Sequence, residues 1–336
     1  MAPASIAGAW PMVRRVGAWV FFAAVLALVV RQARTIDWRD VLDSLRAIAP
    51  LTLLAATALA ASSHLLYSTF DLLGRRMTGH RLGTRAVMRV TFISYAFNLN
   101  LGTLVGGVAF RYRLYTRLGL DNLTITRVLG FSMLTNWLGY LVLAGAVFCF
   151  FPMSLPPDWK MDGEGLRILG ALLLAAGVAY LGLCAIAREH PWTLRGHEID
   201  TPSLRMAVLQ LAMSMLNWSL IGGVIWLLMQ RQLPYPEVLA VTLIAAVAGV
   251  ITHVPGGLGV LEAVFLALLG HLASPGKLLG ALLAYRAIYY LLPLVLATPA
   301  FVAAELRARK QERGQPAINS GRGSAPARSS RPGSAP

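Results

Sequence analysis

Two ionisable residues stand inside otherwise apolar sequence in the last third of the chain. Glu262 lies within Val260–Leu269, and Arg286 lies within Leu278–Leu292 with Tyr285, Tyr289 and Tyr290 around it. A charge at the centre of a bilayer costs about 2.5–3.5 kcal/mol on insertion scales, so each needs a partner or a wet cavity. The sequence predicts that they serve each other. A guanidinium is planar and bidentate and suits phosphate oxygens as well as a carboxylate, so the expected pair opens when an anionic ligand competes for Arg286. The plainer reading has Arg286 snorkelling to an interface only ~12 Å away at helical rise.

Further polar candidates are spread along the chain. Arg111 and Arg113 are expected to receive an anionic group, or else to act as simple cytoplasmic anchors. Asp71 is a site candidate or a local partner for Arg75. Asn98, Asn100 and Asn136 have amides able to hydrogen-bond within the same cavity. His253 is a residue that titrates near neutrality. The stretch Thr252–Glu262 carries Pro255, Gly256, Gly257 and Gly259, and a weaker break at 98–107 carries Gly102, Gly106 and Gly107. Proline removes a helix hydrogen bond and glycine tolerates most backbone angles, so these residues are the expected hinges. In lipid, such breaks survive only where protein or trapped water satisfies the freed backbone, which makes them pointers to a binding site.

The elements that must position these residues follow from composition. The 336 residues are 57% hydrophobic and 13% charged, whereas charged residues are about a quarter of a soluble protein. Apolar runs near the ~20 residues that cross a bilayer as helix predict an all-α polytopic membrane protein. The runs are continuous rather than alternating, which argues against a β-barrel. Full spans are expected at 16–30, 51–73, 127–151, 166–187, 205–229 and 278–303, with an interfacial helix over Ile36–Arg46. The net charge of +15 is assigned to loops and tails facing anionic lipid, without nucleic acid as a partner. Cys149 and Cys184 lie in apolar runs and predict neither disulfide nor metal site.

Charge sets the topology. If the broken stretch 84–117 crossed the membrane, the loop with Arg111, Arg113 and Arg117 would lie outside and the acidic loop 152–165 inside. Both placements invert the positive-inside rule. A re-entrant hairpin resolves both, and the stretch 236–272 then dips in from the opposite side. Arms of about 15 helical residues, ~22 Å long, pass the bilayer midplane. The expectation is six spans plus two opposed re-entrant hairpins, with both termini cytoplasmic.

A repeat accompanies this count. Val87–Ile93 and Val238–Ile244 share the same residue at four of seven places. The same register sets Gly106 against Gly257 and Arg111 against Glu262. One residue on, it sets Asn136 against Arg286. Each half reads span, span, hairpin, span, an inverted-topology repeat of the kind found in alternating-access transporters. The halves run about 14–155 and 156–306. A cytoplasmic segment at 1–13 precedes them, and a disordered basic tail is expected from 307 to 336.

The glycine stretch lacks the strand, helix and Lys-Ser/Thr of a nucleotide loop, and no catalytic or metal-spaced set is visible. No enzyme activity and no cofactor are therefore expected. Pro255–Gly259 with Glu262, Arg286 with Tyr289 and Pro293, and Gly106–Gly107 with Arg111 together resemble the transmembrane domain of bacterial lysylphosphatidylglycerol synthase/flippases. The resemblance covers about residues 10–305 and is greatest to the stand-alone, YbhN-like inner-membrane proteins. It implies a flippase-like domain of the bacterial inner membrane that moves phospholipid between leaflets. In the full-length relatives a separate soluble domain performs the aminoacyl transfer. The alternatives from other classes are a non-transporting scaffold for a lipid-synthesis enzyme and a small-solute secondary transporter. The oligomeric state, cargo and energy source do not follow from the residues.

Overall fold

The computed structural model describes residues 38–151, 153, 163–186, 193–194, 197–198, 202–252 and 254–314. The N-terminal segment, the first expected span at 16–30, most of the 152–165 loop, His253 and the tail from 315 lie outside these residues. Apart from a two-residue antiparallel pair, Thr193–Leu194 with His197–Glu198, the regular structure is helical. Among the described residues, six helices are long and apolar enough to cross a membrane.

The described residues begin with the amphipathic helix α1 (Trp38–Arg46), which packs Val41 against α11 (Pro275–Tyr285). Pro50, pre-set for the first turn, starts α2 (Pro50–Ser68), which continues almost without a break as α3 (Phe70–Thr78). Together they form one span. The first hairpin follows as α4 (Thr84–Leu101), a π-helical segment π1 (Thr103–Ala109) and α5 (Phe110–Arg117). Asp121 then caps α6 (Asn122–Phe150), its carboxylate accepting from the Thr124 amide at 3.0 Å. α7 (Gly163–Ile186) and α8 (Leu204–Leu228) complete the middle of the chain. The second hairpin is α9 (Tyr235–Thr252), a short turn at Pro255–Gly257 and α10 (Val260–Leu269). The last span is α11, a second π segment π2 (Arg286–Leu291) and α12 (Leu292–Gly314).

Five of the six expected spans fall on helices within a few residues, the sixth at 16–30 lying outside the described residues, and two differences appear. α9 is 18 residues long and apolar enough to cross a membrane by itself, ~27 Å at helical rise, so the outgoing arm is longer than expected. α12 runs through Arg307 to Gly314, so helix occupies the start of the segment expected to be disordered.

The repeat takes three-dimensional form. Ser63 of α2 meets Asn217 of α8, while Leu59 lies against Gly223. As one number rises the other falls, so these corresponding helices run antiparallel. Gly139 of α6 packs onto Ser214 of α8, and the equivalent contact joins Tyr289 of π2 to Ser63 of α2. Each second span thus packs on the closing span of the other half, as an inverted repeat requires. The close approaches use small residues, the usual device where lipid offers helices no hydrophobic drive to associate.

The hairpins turn by different means. Gly256, Gly257 and Gly259 all have positive φ, at 65°, 57° and 79°, where a Cβ would be strained. In the first hairpin only Gly102 has positive φ. Gly106 and Gly107 lie inside π1, and a Cβ on Gly106 would strike the Phe97–Asn98 peptide of the opposite arm. Gly106 lets two backbones touch and Gly107 faces the Asn98 side chain, so both serve as contact glycines rather than at the turn itself, where hinges are expected. Gly106→Ala should therefore force the arms apart and destabilise the protein by about 1–3 kcal/mol. Thermal unfolding in detergent would measure this, and an unchanged midpoint would show that the arms do not need the close approach.

Candidate functional site

The tips of the two hairpins meet. The carbonyls of Leu99 and Asn100 lie 3.3 and 3.5 Å from where a Cβ on Gly256 would sit. Asn100 donates to Ala96 O at 2.8 Å and to Tyr290 O at 3.2 Å, tying the first tip to π2. A π segment leaves backbone groups out of the ordinary helical register, and here the Tyr290 carbonyl receives a side chain from across the repeat.

Arg286 opens π2 and faces the second tip. Its Nε and Nη2 grip Glu262 at 2.5 and 3.1 Å. Nη1 donates to Gly256 O at 2.9 Å and Nη2 to Gly257 O at 2.8 Å. The guanidinium lies 5.2 Å from the Tyr290 ring centre, within cation–π range. One arginine therefore holds both the carboxylate of the returning arm and the turn itself. The glycines make this possible, because their left-handed turn presents two successive carbonyls to a single fork.

A cavity of about 180 Å³ borders this clamp. It is lined by Gly256, Gly257 and Leu261 of the second tip and by Tyr95, Tyr285 and Tyr289. The Tyr289 hydroxyl contacts Ser63 Oγ at 2.7 Å and the Tyr95 hydroxyl at 3.1 Å, and Ser63 donates to Asn217 Oδ1 at 2.7 Å. His64 Nε2 lies 3.1 Å from Tyr289 O. A carbonyl only accepts, so this ring nitrogen is the donor. Ser63, His64, Tyr95, Asn217 and Tyr289 thus form a buried polar chain through four elements. Of these, only Tyr289 stands out in the sequence, as a neighbour of Arg286. The available signal was Ser62-Ser63-His64 and Asn217, polar residues in the middle of apolar spans.

The remaining candidates are placed as follows. Tyr285 lines the cavity and stacks on Tyr289 with centroids 5.3 Å apart. Arg111 is buried against Asp71, with Nε to Oδ2 at 3.0 Å and Nη2 to Oδ1 at 3.3 Å. Tyr115 OH adds a third donor to Asp71 at 2.9 Å, and Arg111 Nη1 reaches Gly107 O at 3.4 Å. Asp71 is thus the partner of Arg111 rather than of Arg75, which instead donates to Leu82 O and Thr84 Oγ1. Arg113 is not brought to the cavity. It holds Glu305 of α12 at 2.8 and 2.9 Å with about half its side chain exposed. Asn98 lies over Gly107 with its Oδ1 buried and without a partner. Asn136 contributes its backbone carbonyl, which accepts from Ser214 Oγ and Trp218 Nε1.

The exposure of Arg113 yields a prediction. Ion pairs open to solvent contribute about 0.2–1 kcal/mol, so Arg113→Gln should move the thermal midpoint by no more than a degree or two. A loss as large as that from breaking a buried pair would show that α5 and α12 are coupled through this contact.

Comparison with known proteins bears directly on this architecture. Residues 16–297 match the family described as the lysylphosphatidylglycerol synthase TM region. The chain belongs to that family. It is 45% identical over 302 residues to inner membrane protein YbhN of Escherichia coli K12, covering 90% of this chain and 95% of that protein. It is 32% identical over 317 residues to Synechocystis protein slr0712, covering 91% and 97%. Phosphatidylglycerol lysyltransferase of Staphylococcus haemolyticus is 25% identical over 288 residues, which are 83% of this chain but 32% of that protein. The family's shared part is thus the membrane region, which spans a third of the lysyltransferase and nearly all of YbhN. This family member is a multi-pass inner-membrane protein, in keeping with the inner-membrane relative and the six span-length helices among the described residues.

Proposed function

We propose that this protein translocates an anionic phospholipid between leaflets, with Arg286 as the headgroup receptor and no catalytic step. The observation that carries this reading is the fork of Arg286, shared between Glu262 and the carbonyls of Gly256 and Gly257. A phosphate that takes the guanidinium displaces all three at once. The competing ligand then frees the turn of the second hairpin, where the glycines allow rearrangement at low steric cost. Binding energy and hinge motion are coupled through one side chain. The tyrosine-lined cavity beside the clamp offers hydroxyls to headgroup oxygens, and its position where both hairpin tips meet suits a site reached in turn from either side. Kinship to the membrane region of a phosphatidylglycerol lysyltransferase supports a glycerophospholipid as cargo.

The test is translocation in proteoliposomes, using phosphatidylglycerol carrying a fluorescent acyl label and an impermeant quencher outside. Wild-type protein should expose inner-leaflet lipid faster than protein-free vesicles. Equal rates would remove the translocation reading and favour a scaffold that holds lipid without moving it.

A further inference from the structure

A second pair of clefts lies away from the hairpin tips and meets at Arg89. The larger, about 390 Å³, runs between α2, α4 and α12. Its walls include Ala61, Leu65, Met88, Phe92, Leu292 and Leu296, and they are almost entirely apolar. The smaller, about 200 Å³, lies between α4, α5 and α12 and is lined by Arg89, Arg117 and Arg307 with Val90, Leu118 and Ala304. Arg89 lines both.

The charges of the smaller cleft are unbalanced. Glu305, the carboxylate nearest it, is already shared by Arg113 and Arg117 at 2.8 and 3.0 Å. Arg89 and Arg307 are exposed and have no ion pair among the described residues. Arg89 lies five residues into α4, ~8 Å along the helix from its start, a depth suited to a phosphate at the edge of the hydrocarbon. An apolar slot joined to an arginine-lined cup is complementary to one kind of membrane molecule.

We propose that these joined clefts bind one anionic glycerophospholipid, its phosphate among Arg89, Arg117 and Arg307 and one acyl chain in the apolar slot. The site is separate from Arg286, and binding there requires no transfer between leaflets, so the two readings fail independently. Arginine favours the phosphate through paired hydrogen bonds as well as charge. A zwitterionic lipid gains less, because its ammonium meets three guanidiniums.

The test uses full-length protein in detergent micelles with phosphatidylglycerol carrying a diazirine at the end of one acyl chain. After irradiation, crosslinked peptides are mapped. Crosslinks should concentrate in Thr57–Ser68 and Ile288–Leu296. Arg89→Gln should reduce that capture about tenfold, as expected for loss of a charged contact. Labelling of the exposed face around Leu172 and Val178 should stay unchanged. Arg307→Gln should reduce capture in the same direction, and a phosphatidylcholine probe should label the slot no more than it labels the α7 face. Even labelling of all exposed apolar faces, or full capture by folded Arg89→Gln, would overturn the proposal and leave these arginines as topological anchors.

Discussion

Asp71→Asn is expected to destabilise the protein by about 3–5 kcal/mol, the usual cost of removing one member of a buried ion pair. The carboxylate is fully buried and accepts three hydrogen bonds, two from Arg111 and one from Tyr115. Asparagine keeps the size but removes the charge that offsets the Arg111 guanidinium, which is itself only 4% exposed at the side chain. The buried cation then keeps only neutral partners, an amide oxygen at position 71, the Gly107 carbonyl at 3.4 Å and the Tyr67 ring. Since Asp71 belongs to α3 and Arg111 to α5, the loss unpins the first hairpin from the second span. Thermal unfolding in detergent measures the effect. The double variant Asp71→Asn/Arg111→Gln should recover part of the lost stability, because neither charge is then left alone. Single variants as stable as wild type would show that the pair is not a structural clamp.

The second large effect concerns transport rather than stability. Glu262→Gln leaves the guanidinium in place but weakens the grip that a ligand must replace. Arg286→Gln removes the receptor itself. If a charged hydrogen-bonding group contributes about 1.5–3 kcal/mol, loss of Arg286 should slow translocation of an anionic lipid roughly 10- to 100-fold. Both side chains are partly exposed, at 11% and 16%, so the stability cost should be smaller than at Asp71. Wild-type rates from a folded Arg286→Gln protein would separate this arginine from the transported lipid. The contrast between the pairs is physical. Arg111 is sealed among Asp71, Tyr67 and Tyr115, whereas Arg286 holds a glycine turn that itself lines a cavity.

Most of the fold was legible in the sequence because lipid imposes simple rules. Spans had to be long apolar runs, and the arginines around 111–117 placed on the wrong side exposed the first hairpin. The Glu262–Arg286 pair was legible for the same reason, since two isolated charges in apolar sequence have few other partners. Of the two readings of Asp71, the pairing with Arg75 is not found, although a separation of four residues offered it as a local partner. The true one, Arg111, lies beyond a hairpin whose packing only the fold reveals. Gly106 and Gly257 fell at matching positions yet act differently, one in a backbone contact and the other in a left-handed turn. Sequence register does not distinguish those uses. Ser63, Tyr95 and Asn217, which join Tyr289 in the buried chain, are not legible in the sequence because single hydroxyls and amides are common in membrane helices and acquire meaning only when four elements converge.

In the proposed cycle, Arg286 trades Glu262 and the turn carbonyls for an anionic headgroup. The most direct measurement compares phosphatidylglycerol with phosphatidylcholine translocation in proteoliposomes, for wild type and for Glu262→Gln/Arg286→Gln. That double variant removes both charges and leaves neither one buried and unpaired. Wild type should move the anionic lipid about tenfold or more faster than the zwitterionic one, and the double variant should lose that preference while staying folded. A double variant that keeps the wild-type rate and preference would show that Arg286 does not receive the headgroup.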